Sequence, residues 1–561
     1  MRNKYSNNLR NLRTIISKIR QIRITPDISY MVAYTFLYKY CSDSLKEYLL
    51  MLIEDKAITL DEAYSDEKCL KMFKSQSIQK HGFFINSPDC FFDEVINRSF
   101  SENYFVYTFF KSFSGSIEFG EKSNYEKYFH FIFDVLKDVV NFNKYEFEGE
   151  NHIIVKDIVY AISKMDVFER EYPFEKVFDR LCESRLFRID TDPDYITSIL
   201  SSLIAESRYS IGDIYNPFLN DASALIDLSY RYNAGFRHIY ARSNDRLTYC
   251  TNIVKFTIGY YDMDSVFLEF GSPFEAMDIS GKSFDVITAR IPPITNKNFQ
   301  RLSRAQSMEI AKQNKRKELQ SLLADNFNID EESFSNDSEL NSTIESLVDK
   351  IDLEEESKVQ FRGEYASLQD NEYLFLINLI NSLNDDGIMA VAMSQSILFK
   401  NTLRTLRKYL TYEKNYIDVI INIPNELSRR KSSDIVVIFK KDRVSDDILF
   451  IDMSTDYNLK KERYTVPGLF KRNLTFDLES LKYLVDVYKK REIVDKYSSI
   501  VSMPEICKND FNLSISRYVD TFEGEFIRLE DLKNEKKEIT LNIKKLNLKI
   551  DRMMDELNLR K

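Results

Sequence analysis

The sequence predicts an α/β protein in which an open parallel sheet follows a helical N-terminal domain and precedes coiled-coil-like C-terminal helices. Three observations support this prediction. Apolar residues recur at helical spacing in the first third of the chain, short apolar runs alternate with helical stretches from about residue 190 to 455, and a four-and-three apolar repeat occupies the tail. The chain therefore changes its hydrophobic period twice.

The first region, residues 1–190, has the spacing of amphipathic helices. Leu9, Leu12, Ile15, Ile16 and Ile19 recur at helical intervals, and the stretches ISYMVAYTFLYKYC and FHFIFDVLKDVV do the same. Glycine and proline, which interrupt helices, are rare in this region. We therefore expect a helical N-terminal domain with at most a few short strands.

The second region, residues 191–470, contains short apolar runs separated by helical stretches. Strands separated by helices predict a parallel sheet with helices on both faces, because a parallel connection needs a crossover. The pattern fits a methyltransferase sheet as well as other open α/β folds. The predicted strands are IGDIYNPF (211–218), RHIYARS (237–243), DSVFLEF (264–270), FDVITARI (284–291), GIMAVAMS (387–394), YIDVIINI (416–423) and DIVVIFKK (434–441).

A long charged insertion, about 300–368, interrupts this region between the fourth and fifth predicted strands. It begins basic, with residues such as Arg301 and Lys315, and turns acidic, with residues such as Glu331 and Glu355. A solvated helical excursion is our first interpretation, and contact with DNA or a partner is the alternative. After the sheet we expect a connecting helical segment, 471–523, and a C-terminal assembly helix, 524–561.

The C-terminal tail has an a/d seam. Leu541, Leu548 and Leu559 widen its apolar face. A lone helix of this kind would expose hydrophobic surface, so we expect it to pack on another helix, either of its own chain or of a partner. The seam residues are Ile539, Ile543, Leu546, Ile550, Met553 and Leu557.

Composition narrows the functional classes. The chain has 561 residues, so two or three domains are expected, and its net charge of −10 disfavours a nucleic-acid coat without excluding a local basic face. Its six cysteines form no CxxC pair and its four histidines no ligand spacing, so we expect free thiols and no metal site. No apolar run approaches the roughly 20 residues that cross a bilayer, and we expect a cytoplasmic protein without membrane contact.

Four stretches carry a resemblance to a known family. They are FDVITARIPPI (284–294), DNEYLFLINLINSLNDDGIMAVAMSQSILF (370–399), YIDVIINIPNEL with DIVVIFKK and ILFIDMS, and NDFNLSISRYVDTFE (509–523). In kind and order they resemble the modification subunit of type I restriction–modification systems, an adenine-N6 DNA methyltransferase. The likeness extends over most of the chain and is strongest from about 370 to 523.

The resemblance implies a Rossmann-like methyltransferase domain and C-terminal helices that bind a DNA-specificity subunit. It implies S-adenosylmethionine as methyl donor and a flipped adenine as acceptor. The implied partners are the specificity subunit, double-stranded DNA and, in the wider assembly, a second methyltransferase-like subunit and a motor nuclease.

The base-handling motif departs from the family. The family has an Asn or Asp before two prolines and an aromatic residue after them, so that acceptors hold the adenine amine and a ring stacks on the base. Here Arg290, Ile291, Pro292, Pro293 and Ile294 occupy these positions. Isoleucine has neither an acceptor nor a ring, and arginine is only a donor.

The cofactor loop departs as well. The family's glycine-rich turn after the first strand corresponds to 216–223, where both glycines are absent. Asn220 tolerates a positive φ, but Ala222 adds a methyl group. For Asp221 we prefer the role of a helix first-turn acid over contact with a cofactor. The corresponding positions of the loop are Asn216, Pro217, Asn220, Asp221 and Ala222.

The remaining cofactor positions are also changed. The second strand should end in an acid that holds the ribose, but Arg242 and Ser243 stand there, with Asp245 two residues later. After the third strand, where an acid is expected near the adenine ring, the chain has Gly271 and Ser272. Every position of the cofactor site that the resemblance defines is thus altered.

A basic N-terminal segment is the candidate DNA contact. Arg10, Arg13, Arg20 and Arg23 occur in a stretch, 1–26, that contains no acidic residue. A solvated helix face is the default interpretation, and phosphate contact or docking on an acidic partner is the alternative.

These observations predict a catalytically degenerate methyltransferase-like subunit of a type I restriction–modification or related anti-phage defence complex. We expect it to act in assembly and DNA engagement without a cofactor. The alternative is an active S-adenosylmethionine-dependent adenine-N6 methyltransferase with divergent motifs. A third class is an interaction protein that uses the old cleft for another ligand.

Overall fold

The computed structural model describes residues 6–556 except 22–25, 57, 101–104, 122, 143–149, 185, 188–193, 208–211, 232–236, 261, 272–281, 292–373, 424–433, 454–458, 462–473, 477 and 521–528. The predicted insertion therefore lies outside the described residues. So do these predicted site residues: Arg23, Ser272, Pro292, Pro293, Ile294 and Leu557.

The N-terminal third is built from helices around a long central one. α2 begins at a proline, which suits the first helical position, and is buried over most of its circumference. A short antiparallel strand pair is added to the helices. The elements are α1 (Asn7–Ile19), α2 (Pro26–Ile53), α3 (Leu60–Ser65), α4 (Glu67–His81), β1 (Phe83–Ile85), α5 (Phe92–Ser99), α6 (Phe105–Ser114), β2 (Ile117–Phe119), α7 (Asn124–Phe142), α8 (Glu150–Ser163) and α9 (Phe174–Cys182).

Aromatic side chains fill the core of this helical part. Tyr38 stacks on Phe113 with ring centroids 4.4 Å apart, and Tyr34 contacts Phe109 edge to face. The buried hydroxyl of Tyr34 donates to the carbonyl of Phe110 (2.9 Å), so the ring is buried without an orphaned polar group.

The central sheet has nine strands in the order β13-β10-β8-β9-β7-β6-β3-β4-β5. The pairs from β7 to β5, together with β8–β10, are parallel, whereas β9 and β13 run antiparallel to their neighbours. The strands are β3 (Asp213–Asn216), β4 (His238–Ser243), β5 (Val266–Phe270), β6 (Phe284–Arg290), β7 (Leu383–Ser394), β8 (Ile417–Asn422), β9 (Asp434–Lys440), β10 (Ile448–Asp452) and β13 (Ser498–Val501); a separate pair is formed by β11 (Leu459–Lys461) and β12 (Leu474–Phe476).

Helices cover both faces of the sheet. One face packs on α10, α11, α12 and α15 and shares an apolar core with the helical N-terminal part, whereas α13, α14 and α16 cover the other face. The predicted α/β fold class is confirmed. The helices are α10 (Asp194–Ser207), α11 (Ser223–Arg231), α12 (Arg246–Gly259), α13 (Leu374–Asn381), α14 (Arg404–Lys408), α15 (Leu478–Lys490), α16 (Met503–Lys508) and α17 (Leu529–Glu556).

The segment 471–523 differs from the connecting helical segment that the sequence predicts. It contains α15 and α16, but its strand β13 pairs antiparallel with β10 and completes one edge of the central sheet. The sequence did not indicate β13, because its four residues begin with two serines and show no recognisable strand period.

Among the residues that the structure describes, no helix is long and apolar enough to span a membrane.

Candidate functional site

The candidate site lies at the carboxyl ends of the strands where the strand order reverses. β3 pairs in parallel with β4 on one side and with β6 on the other. In open α/β sheets this switch point is where ligands bind. Asn216 ends β3, Ser243 ends β4 and Ile291 follows β6. The structure therefore brings three of the sequence-predicted positions to one edge.

The loop between β3 and α11 uses its backbone N–H groups within the protein. The N–H of Phe218 donates to Asn216 Oδ1 (3.1 Å), and the N–H of Leu219 donates to the carbonyl of Arg242 (2.9 Å). The N–H of Asn220 donates to the carbonyl of Phe218 (2.9 Å). A ligand that needs these groups would have to break contacts that already exist.

Asn252 on α12 forms hydrogen bonds with the same loop. Its Oδ1 accepts the N–H of Ala222 (3.0 Å), and its Nδ2 lies 3.2 Å from the carbonyl of Leu219 and 3.1 Å from Ser243 Oγ. Ser243 Oγ itself donates to the carbonyl of Leu219 (2.8 Å). Asn252 is 1% exposed. One buried amide therefore joins the loop after β3 to the end of β4.

The backbone of the loop has no glycine-like conformation. Asn220 and Ala222 stand where the family has glycines, and neither has a positive φ angle. Within the described chain, positive φ occurs elsewhere, at Gly82, Asn415, Arg491, Lys496, Asp510 and Phe511. The close backbone approach for which the family uses glycine is thus not reproduced here.

Asp221 belongs to a buried ion triad. Its Oδ1 lies 2.6 Å from the Lys255 ammonium, which also lies 3.0 Å from Asp179 Oδ1 on α9. Asp221 also accepts the backbone N–H of Ser223 (2.9 Å), so the predicted role at the start of a helix is part of the arrangement. The other interaction of Asp221, its contact with Lys255, could not be predicted from the sequence.

The two carboxylates of the triad hold Lys255 in its charged form. Burial would lower the pKa of Lys255, but Asp179 and Asp221 outweigh it and hold that pKa well above its ordinary value. Burial would raise the pKa of Asp179, but Lys255 and then Lys176 outweigh it and lower that pKa. Lys255 therefore stays charged between two carboxylates, and its positive charge is balanced inside the protein.

The end of β4 carries a cation where the family has an acid. Arg242 is buried, and its guanidinium donates to Glu269 Oε2 on β5 at 2.5 Å. Asp245, the nearest acid, caps α12 by accepting the N–H of Thr248 (2.8 Å). Neither residue presents a free carboxylate for ribose hydroxyls.

Ile291, the residue that follows β6, lies in apolar surroundings. Ile291 is 8% exposed, its N–H donates to the carbonyl of Ala392 (2.8 Å), and its side chain lies in the same buried apolar cluster as Phe218. Arg290, one residue earlier, is buried as well. Ile291 therefore belongs to the hydrophobic core, and the buried Arg290 is not part of that apolar cluster.

Comparisons with known proteins agree on one family. Residues 307–525 match the family model of N-6 DNA methylases. The fold matches the methyltransferase subunit of a type I restriction-modification system from Streptococcus thermophilus, with a TM-score of 0.64 over 91% of this chain and 99% of that one, at 17% identity. The chain has the fold of the type I modification subunits. The resemblance inferred from the sequence is confirmed.

Further relatives support the type I modification fold. A modification subunit of a type I restriction enzyme from Vibrio vulnificus matches with a TM-score of 0.51 over 90% of this chain and 94% of that one, at 11% identity. The methylase subunit of the enzyme MpnII from Mycoplasma pneumoniae is 25% identical over 36% of this chain. The MjaVII methylase subunit from Methanocaldococcus jannaschii is 31% identical over 27%. These alignments span only 33% and 26% of the two curated relatives.

In this type I modification fold the C-terminal helix α17 leaves its apolar seam in solvent. The described seam residues and two further leucines, all on α17, are between 51% and 61% exposed. Exposed apolar surface on this scale marks an interaction site more often than an ordinary protein surface. The residues are Ile539, Leu541, Ile543, Leu546, Leu548, Ile550 and Met553.

Three of the N-terminal arginines lie in the described part of the chain, Arg10 and Arg13 on α1 and Arg20 directly after it. Leu12, Ile16 and Ile19 are buried, whereas Arg10 and Arg20 are exposed and Arg13 is half-buried. The structure therefore leaves at least two cations of this segment accessible at the surface of the type I modification fold.

Proposed function

We propose that this chain is a catalytically degenerate methyltransferase-like subunit of a type I restriction–modification or related anti-phage defence complex. It contributes to assembly and to DNA engagement, while methyl transfer, where it occurs, is performed by another subunit. One observation supports the proposal above all others, namely that the loop after β3 is closed by Asn252 and by its own backbone contacts.

The candidate site at the carboxyl ends of β3, β4 and β6, which we call the crevice, does not fit S-adenosylmethionine. The loop donors are engaged, Arg242 is bonded to Glu269 at the place of a ribose-binding acid, and Ile291 offers no acceptor to an adenine amine. A ligand would have to disrupt several buried hydrogen bonds, each costing about 1–3 kcal/mol when a partner is left unpaired. We therefore derive no methyl-transfer step for this chain.

The proposed partners follow from the family and from two surfaces. The seam of α17 would bind a DNA-specificity subunit, and the arginines of α1 would contact DNA phosphates within the assembled complex. A second methyltransferase-like subunit and a motor nuclease would complete the assembled complex. Six buried aliphatic side chains, at about 1.5–3 kcal/mol each, would dominate such a helical interface.

The first prediction concerns the cofactor. Isothermal calorimetry of the purified full chain with S-adenosylmethionine, at ligand concentrations of tens of micromolar, should give no saturable heat. An active modification subunit from a related system is the positive control. Saturable binding would contradict the degenerate reading and favour the alternative, an active methyltransferase with divergent motifs.

A further inference from the structure

A cavity lies where the helical N-terminal part meets the helices that cover one face of the sheet. Its volume is about 250 Å³, near the lower end of the roughly 300–1,000 Å³ that small-molecule pockets occupy. Residues of α9, α11 and α12 form its walls. The cavity is therefore separate from the crevice, which is built from strand ends.

Two of these helices present one polar face each to the cavity. On α11, Ser223, Asp227 and Tyr230 follow one another in steps of four and three residues, and on α9, Glu175 and Asp179 are four residues apart. Residues at this spacing lie on the same side of a helix. Tyr230 is 55% exposed, so the cavity can be reached from solvent beside its ring.

The charged groups of the cavity are mostly carboxylates. Four carboxylates and two ammonium groups line the cavity or lie directly behind its wall, which leaves a surplus of two formal negative charges. A surplus of one sign within low-dielectric walls attracts a ligand of the opposite sign. The carboxylates belong to Glu175, Asp179, Asp221 and Asp227, and the ammonium groups belong to Lys176 and Lys255.

Both ammonium groups already have carboxylate partners. Lys255 lies 3.0 Å from Asp179 and 2.6 Å from Asp221, and Lys176 lies 3.6 Å from Asp179. An anionic ligand would have to displace these internal carboxylates, whereas a cationic ligand would not. The charge of the cavity therefore favours a cation.

The remaining lining suits an organic cation better than a bare metal ion. Phe178 and Ile258 are buried and offer apolar surface to a methylene chain. The ring of Tyr230 offers a π-face, to which ammonium and guanidinium groups are attracted. Among the described residues, no group of acids, histidines and cysteines has the arrangement of a metal site.

We propose that this cavity binds a small organic dication, with ammonium or guanidinium ends joined by a short methylene chain. Asp227 and Tyr230 would receive one charged end, and Phe178 and Ile258 would contact the chain. The ligand would bridge the helical part and the sheet, because α9 belongs to the first and α11 and α12 to the second. This site does not depend on whether the crevice is degenerate.

The test uses the full chain and agmatine, which has an ammonium and a guanidinium group at the ends of a methylene chain. Isothermal calorimetry should give saturable binding with a Kd below about 1 mM. The melting temperature should rise with agmatine concentration, because the ligand binds only the folded chain. Succinate and butanediol, an anion and an uncharged molecule of similar length, should not bind. Saturable binding of succinate, or no saturable binding of agmatine, would overturn the proposal.

Variants of the lining locate the bound agmatine. Asp227→Asn should weaken binding at least about tenfold, while its side-chain oxygen can still accept the hydroxyl of Ser201. Ile226→Phe, at a half-buried lining position, should fill the cavity and abolish binding.

Glu171→Gln is the matched control, because Glu171 is an exposed acid just before α9 that does not line the cavity. It should bind agmatine like the unmodified chain. Circular dichroism checks the fold of each variant, and Asp227→Asn decides alone if Ile226→Phe does not fold. Equal affinities of Asp227→Asn and Glu171→Gln would place agmatine elsewhere on the acidic surface, and the proposed site would be wrong.

Discussion

Single buried polar residues decide the state of the crevice. Asn252 and Lys255 lie on α12, and their partners are about thirty residues earlier in the loop after β3 or, for Asp179, farther still. Nothing in the local sequence distinguishes them, because a polar residue on a mostly apolar helix usually faces solvent. The altered loop was therefore predictable from the sequence, but the side chains that close it were not.

The triad gives a prediction at this scale. Lys255→Met leaves Asp221 buried without a cation and leaves the partly buried Asp179 with only Lys176, 3.6 Å away, so we expect a loss of about 3–5 kcal/mol in the free energy of unfolding. Chemical denaturation measures it. Adding Asp179→Asn and Asp221→Asn to the same chain should recover much of the loss, because an apolar or neutral set needs no counter-charge.

A matched control is available on the surface. Lys71 pairs with Glu67 at 2.7 Å, with both side chains well exposed. Lys71→Met should change the free energy of unfolding by less than about 1 kcal/mol. If Lys255→Met changed the free energy of unfolding as little as Lys71→Met, the triad would not stabilise the structure.

At the scale of elements, a second ion cluster fixes the far edge of the sheet. Asp418 on β8 lies 2.7 Å from Arg491, which follows α15, and 3.0 Å from Lys440 on β9. Burial would raise the pKa of Asp418, but Lys440 and Arg491 outweigh it and hold that pKa below its ordinary value. The cluster therefore ties the inner strands β8 and β9 to the segment that carries the edge strand β13.

A pH dependence follows from this lowered pKa. A carboxylate with a depressed folded pKa stabilises the protein above its unfolded pKa, near 4, and loses that contribution as the pH falls through the lower folded value. Asp418→Asn should thus lower the melting temperature at neutral pH, and the difference from the unmodified chain should shrink below about pH 4. Asp446→Asn, at an exposed position, should change the melting temperature little at every pH. An equally small change for Asp418→Asn would contradict the stabilising role of the Asp418 cluster.

The C-terminal helix gives the other prediction at this scale. Removing residues 524–561 should leave the chain soluble with an unchanged melting temperature, because the exposed seam contributes little to the core of this chain. The truncated chain should no longer co-purify with the specificity subunit. Aggregation, or melting many degrees lower, would show that the helix packs on its own chain instead.

The seven strands predicted from the sequence include β6, β8 and β9 but not β10 or β13. β8 and β9 contain uninterrupted apolar stretches, Val419–Ile421 and Ile435–Phe439, as buried central strands require. β10 has a similar stretch, Ile448–Ile451, but was not among the seven. β13 has four residues and takes its place only through pairing with β10. The sequence of β13 alone therefore does not predict a strand, because the strand forms only by pairing with β10.

At the scale of the whole molecule, the crevice is assembled from the ends of several strands, so repairing one motif should not restore chemistry. Ile291→Asn with Ile294→Phe rebuilds the base-handling residues but leaves Asn252 and the loop after β3 as they are. We expect no labelled-methyl transfer to adenine-containing DNA. Activity in this double variant would mean that the cofactor site had been intact throughout.

The helical part and the sheet are joined by buried contacts. Asp179 of α9 holds Lys255 of α12, and the hydroxyl of Tyr128 on α7 accepts the N–H of Leu268 on β5 (2.8 Å). Because both parts also share one apolar core, we expect them to unfold together rather than as independent domains. A substitution in the aromatic core should then destabilise the distant crevice without touching it.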